Sequence, residues 1–534
     1  MGIFLSPVDA SPRPDAWLGM RILPALILLA CPVWAAPPAE APSASPAAPE
    51  KEKPAAAPGQ EAKAEAPKTP DKPVANLKTT SAGKVTLGGK EIPYEAETNT
   101  LVLLNEKDEP TARVFYVYYH RTDVETPEGR PLLFCFNGGP GSSATWLHLG
   151  GLGPRRVVMG EDGTNSPPPP FGLEPNPHSP LDASDLVFVD PVGTGFSRAE
   201  QGKDQRQFAG FQEDVGYLSD FIRRFVGEHG RWKSPKYLLG ESYGALRVAG
   251  LADQLQNRFG MYLNGVVLMS GLLDFRTLSS SGGNDLPYIC YVPVYASIAR
   301  YHHRRPETLE AGQAMSEARA LAFGDYATAL LQGNQLTDER RTALIGRLEK
   351  ATTIPAEVWR RANLRVEPEV FRQWLLRDSG QAIGRFDARV KAPATDKLGN
   401  FAEGDPSFDV AWGAFSTSIN DYLGRELKVS GPQVYEVLKG AAWDYGSSNS
   451  FASADDRLVS ALRRNPRLKV LVQCGFYDLA TPPDGILHSL SQLDLPDSLR
   501  ANLSVEFYEG GHMFYLNRAA SAKLRTDLLK FLSP

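Results

Sequence analysis

The five residues Gly240-Glu241-Ser242-Tyr243-Gly244 place a serine between two glycines. A short β-type run, Lys236 to Leu239, precedes them, and a helical pattern, Leu246 to Phe259, follows. That strand–turn–helix setting is what a nucleophilic serine requires. A sharp turn pushes the hydroxyl out of the sheet edge, the glycines let the backbone pass at unusual dihedrals, and the helix start adds partial positive charge beside a developing oxyanion. Without its flanks the same pentapeptide would serve as a plain turn, so the flanks carry the reading.

A serine hydroxyl needs a base. Four histidines follow Ser242, namely His302, His303, His488 and His512. His302 and His303, beside Arg304 and Arg305, read as solvated positions in a helical region. His488, in the helical stretch DGILHSL, reads as structural. His512 stands in Gly510-Gly511-His512-Met513, just past the β-type run Leu503 to Tyr508. Loops past the C-terminal ends of strands are where an α/β site gathers its groups, so His512 is the candidate base. The orienting acid belongs between serine and histidine in the chain. Asp478 fits, a short loop beyond the buried run LKVLVQ, where it would hold the imidazole tautomer. Asp484, the nearest competitor, opens a helix and reads as an N-cap.

The run NGGPGSS, 137–143, follows the apolar segment PLLFCF. Three glycines in five residues let backbone N–H groups face a ligand. A phosphate loop would end in Gly-Lys-Ser/Thr, which this one lacks. One N–H from this loop and that of Tyr243 would make a two-donor oxyanion hole.

The elements needed to position these residues are legible. Val85 to Leu104, with Gly88-Gly89 inside, predicts a hairpin; ARVFYVYY at 112–119, PLLFCF at 131–136, DLVFV at 185–189 and GVVLMS at 265–270 predict further strands. Helical patterns at 211–226 and 246–259 separate strands, which indicates a largely parallel sheet. Residues 296–379 are rich in Ala, Arg, Glu and Leu with little strand signal and read as a helical insertion. The α/β pattern resumes near Asp455. The chain has 534 residues, 42% hydrophobic, with 57 basic and 62 acidic side chains and a net charge of -5. This excludes a disordered chain and speaks against a nucleic-acid partner. No long uninterrupted apolar stretch predicts a lasting membrane span. The four cysteines, Cys31, Cys135, Cys290 and Cys474, have no zinc-type spacing, so no metal site is expected, and the last three read as buried thiols.

Arg21, the apolar run Ile22 to Trp34, and Ala35-Ala36 describe a secretory signal over 1–35 with the true start at Met20 and cleavage after Ala35. A lipid anchor on Cys31 is the minor alternative. Residues 36–73 are almost entirely Ala, Pro, Glu and Lys, and a disordered tether is expected over 36–78. The expected location is therefore exported, periplasmic or secreted.

These segments together resemble the serine carboxypeptidase family, α/β-hydrolase-fold peptidases that remove one residue from a peptide C-terminus. The matching pieces are NGGPGSS, FVDPVGTGFS at 188–197, GESYG, GFYDLATP at 475–482 and GGHMFY at 510–515, in the family's order. LPYICYVPVYASIARYHH at 286–303 and GRFDAR at 384–389 resemble its bacterial branch. The resemblance implies an α/β-hydrolase core over 79–276 and 451–534, with helices on both faces of the sheet and a mainly helical cap over 277–450. It implies Ser242 as nucleophile, Asp478 as acid and His512 as base. Gly139 and Tyr243 would supply the oxyanion N–H groups, while Asn137, Gly138 and Glu241 would hold the substrate's terminal carboxylate. It implies peptide substrates and no cofactor.

One position departs from the family pattern. The eukaryotic enzymes place a second glutamate where this chain has Gly151, and there two carboxyl groups share a proton over the substrate carboxylate. Without that partner, Glu241 has less reason for a raised pKa, and an esterase or acyltransferase on the same fold becomes the alternative. His148, Arg155 or Arg156 would be the nearby replacements, each read first as a surface or packing residue. A non-catalytic binding protein is the third reading, against which the complete triad argues.

Overall fold

The computed structural model describes residues 77–305, 309–394, 404–440, 443–445 and 451–533. The expected signal, most of the tether and Cys31 lie outside the described residues, all of which belong to one compact unit, 71–534.

Gly88 and Gly89, both at positive φ, turn the first hairpin between β1 (Thr79–Leu87) and β2 (Lys90–Leu104), and β3 (Pro110–Arg121) continues it antiparallel. Beyond β3 the sheet becomes parallel through β4 (Leu132–Phe136), β5 (Asp185–Val189), β6 (Lys236–Glu241), β7 (Gly265–Met269), β8 (Lys469–Gly475) and β9 (Leu503–Tyr508). The spatial order is β1-β2-β3-β5-β4-β6-β7-β8-β9, with the short pair Arg198–Ala199 added to β3. Every residue of β4 and β5 is buried, as expected of continuous apolar strands covered on both faces.

The alternation of the strands splits the core between two faces. Leu132, Phe134 and Phe136 pack with α1 (Phe211–Glu228) and α2 (Tyr243–Phe259). Leu133 and Cys135 face the other way, toward α4 (Pro406–Asp421) and α7 (Arg518–Leu532). Helices α5 (Asp455–Arg464) and α6 (Pro483–Gln492) complete the first face. Each fully buried Leu, Val or Phe contributes about 1.5–3 kcal/mol to this layering. A third core, beginning with α3 (Leu286–Tyr301), gathers apolar residues of 289–388 with Tyr477 and Leu479. Residues 277–450 thus serve two cores, because α4 packs on the sheet itself. Cys135, Cys290 and Cys474 are free and buried. Among the described residues no helix is long and apolar enough to cross a membrane.

The parallel register pairs Phe136 with Gly240, Glu241 with Met269 and Gly475 with Tyr508. The loops bearing Asn137, Ser242, Asp478 and His512 therefore leave the same edge of the sheet, where α/β folds bind ligands.

Candidate active site

The nucleophile turn is tight because β6 runs into α2 with one residue between them. Ser242 occupies that place at φ 61° and ψ −128°, a conformation L-residues rarely adopt. A β-carbon at Gly240 would stand 1.9 Å from the Gly244 carbonyl oxygen, so the turn closes only on glycine. Helix α2 starts at Tyr243, three residues before the predicted Leu246, since the turn itself supplies the first helical residues.

Asp478 and His512 meet below this turn. The His512 Nδ1 lies 2.8 Å from Asp478 Oδ2, and both side chains are buried. Asp478 Oδ1 accepts from the amides of Ala480, at 2.8 Å, and Thr481, at 3.0 Å. The Thr481 hydroxyl is 2.9 Å from Asp478 Oδ2 and donates to the Ser270 carbonyl at 2.7 Å. Burial opposes a charge on the imidazole, but the Asp478 carboxylate outweighs it and, with Glu241, holds His512 above its ordinary pKa. Ser242 and His512 line one cavity of about 130 Å³. Among the described residues the Ser242 hydroxyl has no hydrogen-bond partner. Nucleophile–base contacts are commonly long without substrate and tighten when it binds.

The glycine loop lies against the nucleophile turn. A β-carbon at Gly138 would come within 2.6 Å of the Tyr243 amide nitrogen. No acceptor among the described residues takes up the N–H of Gly139 or of Tyr243, which leaves both available to an oxyanion. Arg247, fully buried, braces the loop by donating to the Asn137 carbonyl at 2.5 Å and to Asp214 at 2.7 Å. Asp190, from the FVDPVGTGFS segment, accepts from the Ala144 amide at 2.9 Å and so anchors the far end of the same loop.

Glu241 projects into this cavity wall and is buried. Asn137 Nδ2 donates to its Oε2, and the Tyr515 hydroxyl donates to its Oε1 at 2.9 Å. Burial pushes the Glu241 carboxyl up to about 7, against the opposing pull of His512 and Tyr515. The absence of a second glutamate does not leave this pKa low, as the sequence alone led one to expect, because desolvation does the raising. Gly151 lies in a π-helical turn, Leu147–Leu152, beneath the Tyr515 ring.

The remaining cavity wall is mostly apolar, with Trp146, Leu272, Phe275, Phe386, Phe408 and Met513. Leu278, Arg385, Phe386, Phe408 and Leu438 show that the stretch 277–450 supplies part of it. Among the described residues no group of His, Cys, Asp and Glu has the arrangement of a metal site.

Several competing residues take other places. His488, in α6, stacks on Phe323, and His302 Nε2 donates to the Ala388 carbonyl at 2.7 Å, half-buried rather than solvated. Asp484 is not an N-cap; it is buried and pairs with Arg319, because Pro482 caps α6. His148 is buried against Phe188 and Tyr119, and Arg155 and Arg156 pair with Glu426 and Glu174. None of these three lines the cavity. Tyr515, Thr481 and Arg247 were not singled out in the sequence. Tyr515 lies in the GGHMFY motif, three residues after the base, which is the one signal that could have marked it.

Fold and site together define an α/β-hydrolase fold with a serine–histidine–aspartate constellation. Residues 98–297 match the family model described as serine carboxypeptidase. Serine carboxypeptidase-like 8 of Arabidopsis thaliana is 28% identical over 170 residues, covering 31% of this chain and 36% of the relative. Serine carboxypeptidase-like 50 of the same plant is 31% identical over 191 residues, covering 34% and 40%. The chain thus matches well under half the length of these relatives. Kex1(delta)p, a prohormone-processing carboxypeptidase from Saccharomyces cerevisiae, superimposes with a TM-score of 0.52 at 17% identity, covering 82% of this chain and 91% of that one, a likeness of fold.

Proposed function

We propose that this protein is a serine carboxypeptidase that hydrolyses the C-terminal peptide bond of peptides through an acyl-enzyme on Ser242. The observation that carries the reading is one cavity wall shared by Ser242, His512, the open Gly139 and Tyr243 amides, and the buried Glu241–Asn137 pair. His512 takes the Ser242 proton as the hydroxyl attacks the last peptide carbonyl, and the two amides receive the oxyanion. The imidazolium returns the proton to the leaving amine, the terminal amino acid departs, and water repeats the cycle on the acyl-enzyme. A protonated Glu241 and the second Asn137 N–H would face the terminal carboxylate.

The test is release of the last residue from blocked dipeptides, with matched C-terminal amides and esters, at pH 5 and pH 7.5. Cleavage of free-acid peptides lost on amidation is the expected result. Hydrolysis of esters alone would discard the peptidase reading in favour of the esterase or acyltransferase that the missing second glutamate allows. The pH profile has a defined shape. The base must be neutral, so activity on every substrate rises through a pKa above the ordinary imidazole value of about 6.5. Once Glu241 ionises, near pH 7, it repels a carboxylate, so KM for free acids alone climbs above that pH. Esters should show the rising limb without the second.

We propose further that the protein is exported, on the strength of the apolar leader before Ala35. N-terminal sequencing of the mature chain should begin at Ala36; a blocked, acylated Cys31 would point to the lipid-anchored form instead.

A further inference from the structure

We infer that Tyr515 is the positioning residue of the carboxylate subsite, its phenol holding Glu241 in place and deciding at which pH that side chain carries the proton it shares with a peptide's terminal carboxylate. The inference rests on the carboxypeptidase reading for its substrate and on geometry for the rest. Both oxygens of Glu241 accept from neutral donors, Asn137 and Tyr515, and no cation pairs with it among the described residues. The groups that face it are Asn137, Tyr515, His512 and Asp478. Tyr515 is fully buried and its phenol is pushed far above its ordinary range, so it remains a donor at any working pH.

The ring reaches Glu241 because the helical turn beneath it lacks side chains. A β-carbon at Gly150 would stand 2.5 Å from Tyr515 Cε2, and one at Gly151 would stand 3.1 Å from its Cγ. The ring thus fills the place where a side chain at 151 would rise, and its hydroxyl supplies from the histidine loop a hydrogen bond toward Glu241. Tyr515 stands in the turn Phe514–Leu516, immediately after the base, so one loop carries both the group that activates Ser242 and the group that tunes Glu241. A donor to a carboxylate favours its charged form. Removing the hydroxyl must therefore raise the pH at which Glu241 loses its proton, and a stronger donor must lower it.

The test uses the full-length protein with Tyr515→Phe, which keeps the ring over Gly150 and Gly151. Glu241 is titrated by difference infrared spectroscopy, its carboxyl band assigned as the one lost in Glu241→Gln. The expected midpoint lies about one pH unit above that of the wild type. A ring-fluorinated tyrosine at 515, a stronger donor of nearly the same size, should move it down. In parallel, the pH at which KM for free-acid dipeptides climbs should follow the midpoint, while the matching ester, which presents no carboxylate to Glu241, should show no such climb. An unmoved midpoint in both variants, or equal losses on acid and ester, would reduce Tyr515 to a packing residue. A wild type that treats acid and ester alike would bring down the carboxypeptidase reading, and the infrared midpoints would still decide whether Tyr515 tunes Glu241.

Discussion

Ser242→Ala is expected to lower kcat by about 10⁴-fold or more on any substrate the protein turns over, because the covalent route is lost. What remains is the oxyanion hole and substrate binding. The fold should not suffer, since the hydroxyl has no hydrogen-bond partner among the described residues and the β-carbon stays. Ser242→Gly separates the two demands on this position. It is equally inactive, but it releases an L-residue from φ 61° and ψ −128°. Strain of that kind costs about 1–3 kcal/mol, and the added freedom of an unfolded glycine returns up to about 1. The glycine variant should therefore be more stable than the alanine variant by about 1 kcal/mol in denaturant unfolding. Retained turnover in the alanine variant would remove Ser242 from the chemistry; equal stability of the two would show that the turn is unstrained.

The order of the site was legible because each of its loops leaves a strand whose pattern is local. LLFCF at 132–136, KYLLGE at 236–241 and KVLVQCG at 469–475 announce themselves by composition, and the loops after them hold Asn137, Ser242 and Asp478. Strand order was not legible, since β5 lies between β3 and β4 although β4 precedes it in the chain. The contribution of Tyr515 was hidden for a related reason. Its contact with Glu241 spans 274 residues and depends on the emptiness of Gly150 and Gly151, a property of three separate segments at once. Asp484 misled in the opposite way: its place near the start of a helix is local, whereas its partner, Arg319, comes from a distant helix. Patterning reports what a residue does for its own element, and a residue serving another element stays silent.

Asp478→Asn should cost about as much as losing a tautomer costs elsewhere, roughly 10⁴-fold in kcat. The hydrogen bonds around this side chain settle which way an asparagine must point. Oδ1 accepts from two backbone amides, Ala480 and Thr481, so the carbonyl oxygen of the asparagine stays there. Its NH2 group is then left facing His512 Nδ1, where Oδ2 stood at 2.8 Å. Nδ1 becomes the acceptor, the ring proton moves to Nε2, and the nitrogen nearest the nucleophile can no longer take a proton. The Thr481 oxygen, 3.1 Å from Nδ1, is a neutral and more distant acceptor than the carboxylate was, so it does not offset the NH2 group that faces the ring at the shorter distance. The carboxylate that held the imidazole pKa up is also gone, so the rising limb of any residual activity should move to lower pH. Nitrogen-15 spectra of labelled His512 would report the tautomer directly, with the proton on Nδ1 in the wild type and on Nε2 in the variant. Asp484→Asn, which touches only the Arg319 pair, should leave kcat within a few-fold. If the two variants behaved alike, the acid of the site would lie elsewhere.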